Sequence, residues 1–153
     1  MTQHADSDSS RADWVLLLIA RDALGVEGPE VLDPIRIQKG MFFVSQRGPK
    51  RDIYKFRPYN WGPFSSDLYG DLDFLVATGA LTREHVPGRT WDRFRVTEVG
   101  LERARALAAS LHQQEVAWLG QLRRFLTTRS FDKLLDDVYE AFPEYATESL
   151  YRR

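Results

Sequence analysis

The chain predicts an α+β fold, mainly helical, and three observations carry that prediction. Apolar residues recur at helical spacing in separate stretches; Leu68, Leu72, Leu75 and Val76, for example, fall on one face at i, i+4, i+7 and i+8. Two stretches with the two-residue period of strands flank Pro87-Gly88-Arg89. Helix starters and breakers stand at the joints: Asp33-Pro34, Gly48-Pro49, Ser65-Ser66, Gly79, Ser130 and Pro143.

The elements follow in order. A first helix starts near Ser10 or Asp13 and runs to about Leu24. Its apolar residues go nearly all the way round between Trp14 and Ala20, which predicts a buried, central helix. "GVEGPEVLDP" reads as a loop. Asp33 supplies an N-cap acceptor and Pro34 a first helical residue whose missing N–H costs nothing, so a second helix carries "IRIQKGMFFVSQ" and stops before Gly48. "DIYKFRPY" (52–59) alternates like a short strand. A third helix opens at Pro63 and Ser65-Ser66 and closes at Gly79, its C′ glycine. A hairpin follows, with Phe94 and Val96 inward and Trp91, Arg93 and Arg95 outward. Thr97 caps a long helix whose stripe of Leu101, Ala104, Ala108, Leu111, Trp118, Leu122 and Phe125 is interrupted only by Glu115. That stripe, over 101–126, suits a homodimer seam or a face lying on the domain body. Ser130 caps a last helix ending at Phe142, before Pro143.

Helix, helix, short strand, helix, hairpin, long helix is the order of a winged helix-turn-helix with a C-terminal helical extension. The division read from the sequence is a disordered polar tail over 1–11, a winged-helix domain over 12–109 and the extension over 110–153.

Composition narrows the function classes. The net charge of −1 gives no global attraction to nucleic acid or anionic membrane. The absence of cysteine excludes disulfides, zinc–thiolate sites and thiol nucleophiles. The longest apolar run, residues 14–20, falls short of the roughly 20 residues of a membrane span. It follows "TQHADSDSSRAD" rather than a basic leader segment, so the expectation is a cytoplasmic protein. Charge is nevertheless uneven. Residues 36–60 hold seven bases (Arg36, Lys39, Arg47, Lys50, Arg51, Lys55 and Arg57) against Asp52 alone, and residues 61–79 hold three Asp and no base. A basic patch is hidden by the neutral sum.

Two family resemblances add to this reading. "SDLYGDLDFLVATGALT" with "RFRVTEVGLERARAL", within 65–107, resembles the recognition-helix, wing and post-wing segments of PadR- and MarR-type regulators. Over more of the chain, Ile37-Gln38-Lys39, Trp61-Gly62-Pro63 and the segment from Val138-Tyr139 to Tyr145 are similar to the Panacea domain of SocA-like antitoxins and to YwgA-like relatives. The first resemblance implies DNA binding, the second an antitoxin. The chain departs from the second pattern in its Arg-rich wing and its aromatic second helix.

Nothing in the sequence has the spacing of a catalytic or metal site. His4, His85 and His112 share no ligand spacing, and no phosphate-cradling glycine loop or nucleophile elbow is present. The acidic set Asp132, Asp136, Asp137 and Glu140 reads as a solvated face. The chain is therefore read as non-enzymatic, without cofactor or metal.

The leading expectation is a regulator that holds double-stranded DNA through Arg89, Arg93 and Arg95 of the wing and Lys50, Arg51, Lys55 and Arg57 of the basic turn. The plain alternative for the wing arginines is stems packed on apolar surface and heads in water. The outer face of the third helix carries Asp67 and Asp71 and no Arg, Lys, Asn or Gln, which disfavours deep insertion into a groove. The alternative function is an antitoxin- or adaptor-like module that binds a protein, such as a toxin, through Asp67, Asp71 and an exposed Phe74.

Overall fold

The computed structural model describes residues 3–151, with side chains from Arg11 onward. It is α+β and mainly helical, with α1 (Gln3–Ile19) at its centre. Every residue from Trp14 to Ala20 is buried, as the all-round apolar sequence requires. Residues 1 and 2, and the side chains of 3–10, lie outside the described residues. The backbone of 3–11, expected as a tail, is helical. No glycine or proline interrupts the sequence there, and Asp13 pairs with Arg103 (2.5 Å) instead of capping.

The first helix ends earlier than expected. Ala20 leaves helical geometry, and α2 (Arg21–Leu24) is a separate short turn. Arg123, fully buried, explains how α1 can stop inside the core. Its Nε donates to Leu18 O (3.0 Å), and its Nη2 donates to Ile19 O (3.0 Å) and Pro29 O (2.9 Å). A cation thus satisfies carbonyls that a helix C-terminus leaves without partners, at the negative end of its dipole.

The expected loop contains β1 (Val31–Leu32), which leads into α3 (Pro34–Arg47). Asp33 caps α3 by accepting from Arg36 N (2.8 Å), with Pro34 in the first turn. The strand expected over 52–59 contracts to β2 (Arg57–Tyr59), paired antiparallel with β3 (Gly62–Phe64). Residues 52–56 do not extend because Asp52 takes a positive φ of 58° and donates its N–H to Ser45 O, turning Tyr54 into the core.

Helix α4 (Ser66–Ala77) has Ser65 as N-cap and closes at Gly79, whose φ of 82° suits the left-handed position a C′ glycine fills. Leu68, Leu72 and Leu75 are buried, and Val76 packs at the edge of the same core. Strands β4 (Leu81–His85) and β5 (Asp92–Val96) form the expected hairpin, and β1 adds to β5, giving sheet order β1-β5-β4.

The long helix expected after Thr97 is two helices, α5 (Glu98–Ser110) and α6 (Gln113–Thr128). Glu115, the one interruption in the stripe, is the cause: its carboxylate accepts from His112 N (2.9 Å) at the start of α6. The stripe is turned onto the chain's own body: Ala104 and Leu122 are buried, and Leu101, Ala108, Leu111, Trp118 and Phe125 are partly buried against the core. A continuous 101–126 helix is therefore not available as a dimer seam. Helix α7 (Phe131–Ala141) is capped by Ser130, which accepts from Lys133 N, and a 3-10 turn (Pro143–Ala146) follows. Among the described residues no helix is long and apolar enough to cross a membrane.

Candidate functional site

The acidic face of α4 is largely committed within the chain. Asp71 accepts from Arg11 Nε (2.8 Å) and Nη2 (3.1 Å) and from the Tyr54 hydroxyl, with its side chain 15% exposed. Burial, and then the bond to Asp71, push the Tyr54 phenol up, while the hydrogen bond to Asp71 raises the Arg11 guanidinium. Asp73 pairs with Arg83 of β4. The three residues expected at a partner surface, Asp67, Asp71 and Phe74, are placed differently from one another. Asp67 and Phe74 are exposed, but Asp71 is a strut joining α1, α4 and the segment before β2.

Two of the three arginines expected on a wing are likewise engaged within the chain. Arg95 forks between Glu84 on the neighbouring strand and Glu30 before β1. Arg93 stands opposite Glu84 in the register, its Nη2 3.9 Å from that carboxylate, and its Nε is buried without a hydrogen-bond partner. The hydrogen bond from Arg95 holds the Glu84 carboxyl below its usual range. Of the three wing arginines expected at a phosphate, Arg89 alone stands at the exposed tip clear of these pairs.

The basic turn divides. Lys50, Arg51 and Lys55 are exposed, and among the described residues none is in an ion pair. Arg57 is exposed too, but its guanidinium stacks 4.6 Å from the Tyr59 ring centroid and 5.3 Å from that of Phe64. Arg36 is drawn inward to Asp33 (2.6 Å) and to the carbonyls of Leu126 and Arg129.

Lys39, counted in the sequence as one more base of the patch, is 2% exposed. Helix α3 is buried on nearly every side, so its hydrophilic positions are drawn in with its apolar ones. The Lys39 Nζ has a long contact, 3.5 Å, to Pro63 O. Burial lowers its pKa to about 7, with Asp33 opposing. Beside it, Gln38 bonds both Ser65 O and Ser65 N (2.9 Å each), which fixes the start of α4 against α3.

Lys39 lines a recess of about 80 Å³ with Ile35, Gln38, Tyr59, Trp61, Gly62, Pro63, Phe64 and Tyr69. The β2–β3 turn forms one wall. Gly62 has a φ of 95°, and a Cβ there would stand 2.9 Å from Lys39 Cε, so glycine is needed both for the backbone and for the lysine. Trp61, before the start of α4, does not pack into the core. Trp61 is 39% exposed, edge-on to Phe131 at 5.7 Å. Tyr59 and Tyr69 are exposed to similar extents, at 39% and 38%.

No family model, curated protein or solved structure matches this chain.

The chemistry of the recess follows from its own residues: aromatic walls, a buried amine with spare donors, and a guanidinium stacked on the outer face. The sequence did carry a signal for it. Four aromatics (Tyr59, Trp61, Phe64 and Tyr69) lie within residues 59–69, more than one short helix start requires.

Proposed function

We propose that this chain is a non-enzymatic protein-interaction module on a winged-helix frame, with the aromatic rim of the Lys39 recess as its contact surface. One observation carries the reading. Among the described residues seven large apolar side chains are exposed, and three of them, Tyr59, Trp61 and Tyr69, line this single recess. Exposed aromatics gathered about a concavity are what protein-binding surfaces share, whereas scattered ones need no explanation.

The winged-helix frame is supported by the element order α1, β1, α3, α4, β4, β5 and by the sheet order β1-β5-β4. Use of that frame to read a groove is disfavoured on two grounds. Residues 48–65, including the β2–β3 pair, separate α3 from α4, where a DNA-reading helix-turn-helix has a turn of roughly 3–4 residues. The outer face of α4 offers acids and Phe74 rather than base-reading donors.

The test is capture on the immobilised protein from its native host. Proteins retained by the parent and by Trp91→Ala should be lost from Trp61→Ala and Tyr69→Ala. Retention by all four proteins would count against the rim. A second reading, duplex DNA held by backbone contacts, is favoured by the exposed Lys50, Arg51, Lys55 and Arg89, none of them in an ion pair among the described residues. It requires low-salt duplex affinity that weakens steeply as salt rises.

A further inference from the structure

We infer that the Lys39 recess receives the C-terminal carboxylate of a partner protein, its last side chain lying against the aromatic rim. This rests on the reading of the rim as a protein-contact surface and names the chemistry that surface takes.

Four features combine. The Lys39 ammonium carries three N–H donors, and its one hydrogen-bond acceptor among the described residues is Pro63 O, at 3.5 Å. A buried cation so poorly matched is costly, and an incoming carboxylate supplies both the charge and the acceptors it lacks. The surrounding charge has the right sign for an anion. Arg57 stacks on Tyr59 and Phe64, and Asp33, the acid whose charge acts on Lys39, is already paired with Arg36 at 2.6 Å. Phe64, just before the N-cap of α4, and Tyr69, in its first turns, both line the recess, so the positive end of that helix opens beside it.

Size and shape select a chain end. A recess of about 80 Å³ has room for a carboxylate, and the exposed rings of Tyr59, Trp61 and Tyr69 extend the surface outside it. A free small acid would leave that outer rim unused. A peptide interior carries no carboxylate on its backbone and cannot enter end-on. The terminus of a chain with an apolar last residue uses both parts.

The experiment uses the whole protein and a fluorescent hexapeptide ending in phenylalanine, prepared as the free acid and as the C-terminal amide. Fluorescence anisotropy should show the acid binding at least tenfold more tightly than the amide. Lys39→Met and Lys39→Gln, each checked for folding by circular dichroism, should abolish that preference, and Trp61→Ala should weaken binding of both peptides. Chemical-shift mapping of the parent protein should place the acid's effects at Lys39, the Trp61 indole and Tyr69, which keeps the test decisive if the lysine variants fail to fold. Equal binding of acid and amide, no binding of either, a preference that survives loss of Lys39, or competition by phenylacetate as strong as that of the peptide would each overturn the inference. Partner capture that depends on Trp61, together with equal binding of acid and amide, would remove this inference and leave the proposed function standing.

Discussion

Replacing Lys39 by methionine should stabilise the protein at neutral and acid pH, and the gain should shrink as pH rises. A solvated lysine titrates near 10.4, whereas burial lowers Lys39 to about 7. Below pH 7 the folded chain must hold a buried ammonium that the unfolded chain keeps in water. At 1.36 kcal/mol per pH unit the cost is of order 5 kcal/mol there. The sign follows from proton counting: between pH 7 and about 10.4 the unfolded chain binds the extra proton, so stability rises with pH across that window. Methionine is similar in length and carries no charge, so Lys39→Met loses the long bond to Pro63 and little else. Tyr59, Tyr69 and Asp33 lie nearby, and Tyr54 and Tyr69 also titrate abnormally at high pH, so the quantity to measure is the difference between parent and variant. Urea denaturation followed by tryptophan fluorescence at pH 6, 7, 8 and 9 gives it. The variant should be more stable by several kcal/mol at pH 6, with the difference falling by about 1.4 kcal/mol per unit above pH 7. A difference that stays constant from pH 6 to 9, or a variant less stable at pH 6, would refute the reasoning.

Other outcomes follow from the same structure. Asp71→Ala removes a carboxylate that holds Arg11 and Tyr54, and should cost about 2–3 kcal/mol, whereas exposed Asp67→Ala should stay within about 0.5; equal thermal shifts would contradict the strut. Arg123→Met leaves the carbonyls of Leu18, Ile19 and Pro29 without their donor and should cost about 3–5 kcal/mol in chemical denaturation; a loss below 1 would show that the carbonyls find other partners. Gly62→Ala forces an unfavourable φ and crowds the Lys39 side chain, and should lower stability by about 1–3 kcal/mol by the same assay. In duplex-binding measurements at low salt, Arg95→Ala should change any affinity less than Arg89→Ala does, because Arg95 is already held by Glu84 and Glu30; the reverse order would put Arg95 at the nucleic acid.

Helix caps and core stripes were legible in the sequence because they depend on neighbours within a few positions. Asp33-Pro34, Thr97 and Ser130 each cap the helix that their sequence indicates. The break between α5 and α6 was present as Glu115, but a single polar residue in a stripe reads equally as a tolerated interruption or as a capping carboxylate. Strand β1 was not legible, since two residues acquire strand geometry only by pairing with β5, far along the chain. The same distance effect hid the candidate site. Asp71 reads as a surface acid until Arg11, 60 residues away, is brought to it, and Arg95 reads as free until Glu30 arrives from 65 residues away. Lys39 reads as one more base of a patch because its burial depends on the β2–β3 turn closing over α3. Charge counted along a chain says little about which charges reach the surface.

The central claim is that the rim of the Lys39 recess meets another protein. The most direct measurement is site-specific photo-crosslinking in the native host, with a benzophenone-bearing residue placed in turn at Trp61, Tyr69, Trp91 and Arg89. Discrete protein adducts at Trp61 and Tyr69, and none at Trp91 or Arg89, are the predicted result. Adducts confined to Arg89, or nucleic-acid adducts there without protein adducts at the rim, would contradict it.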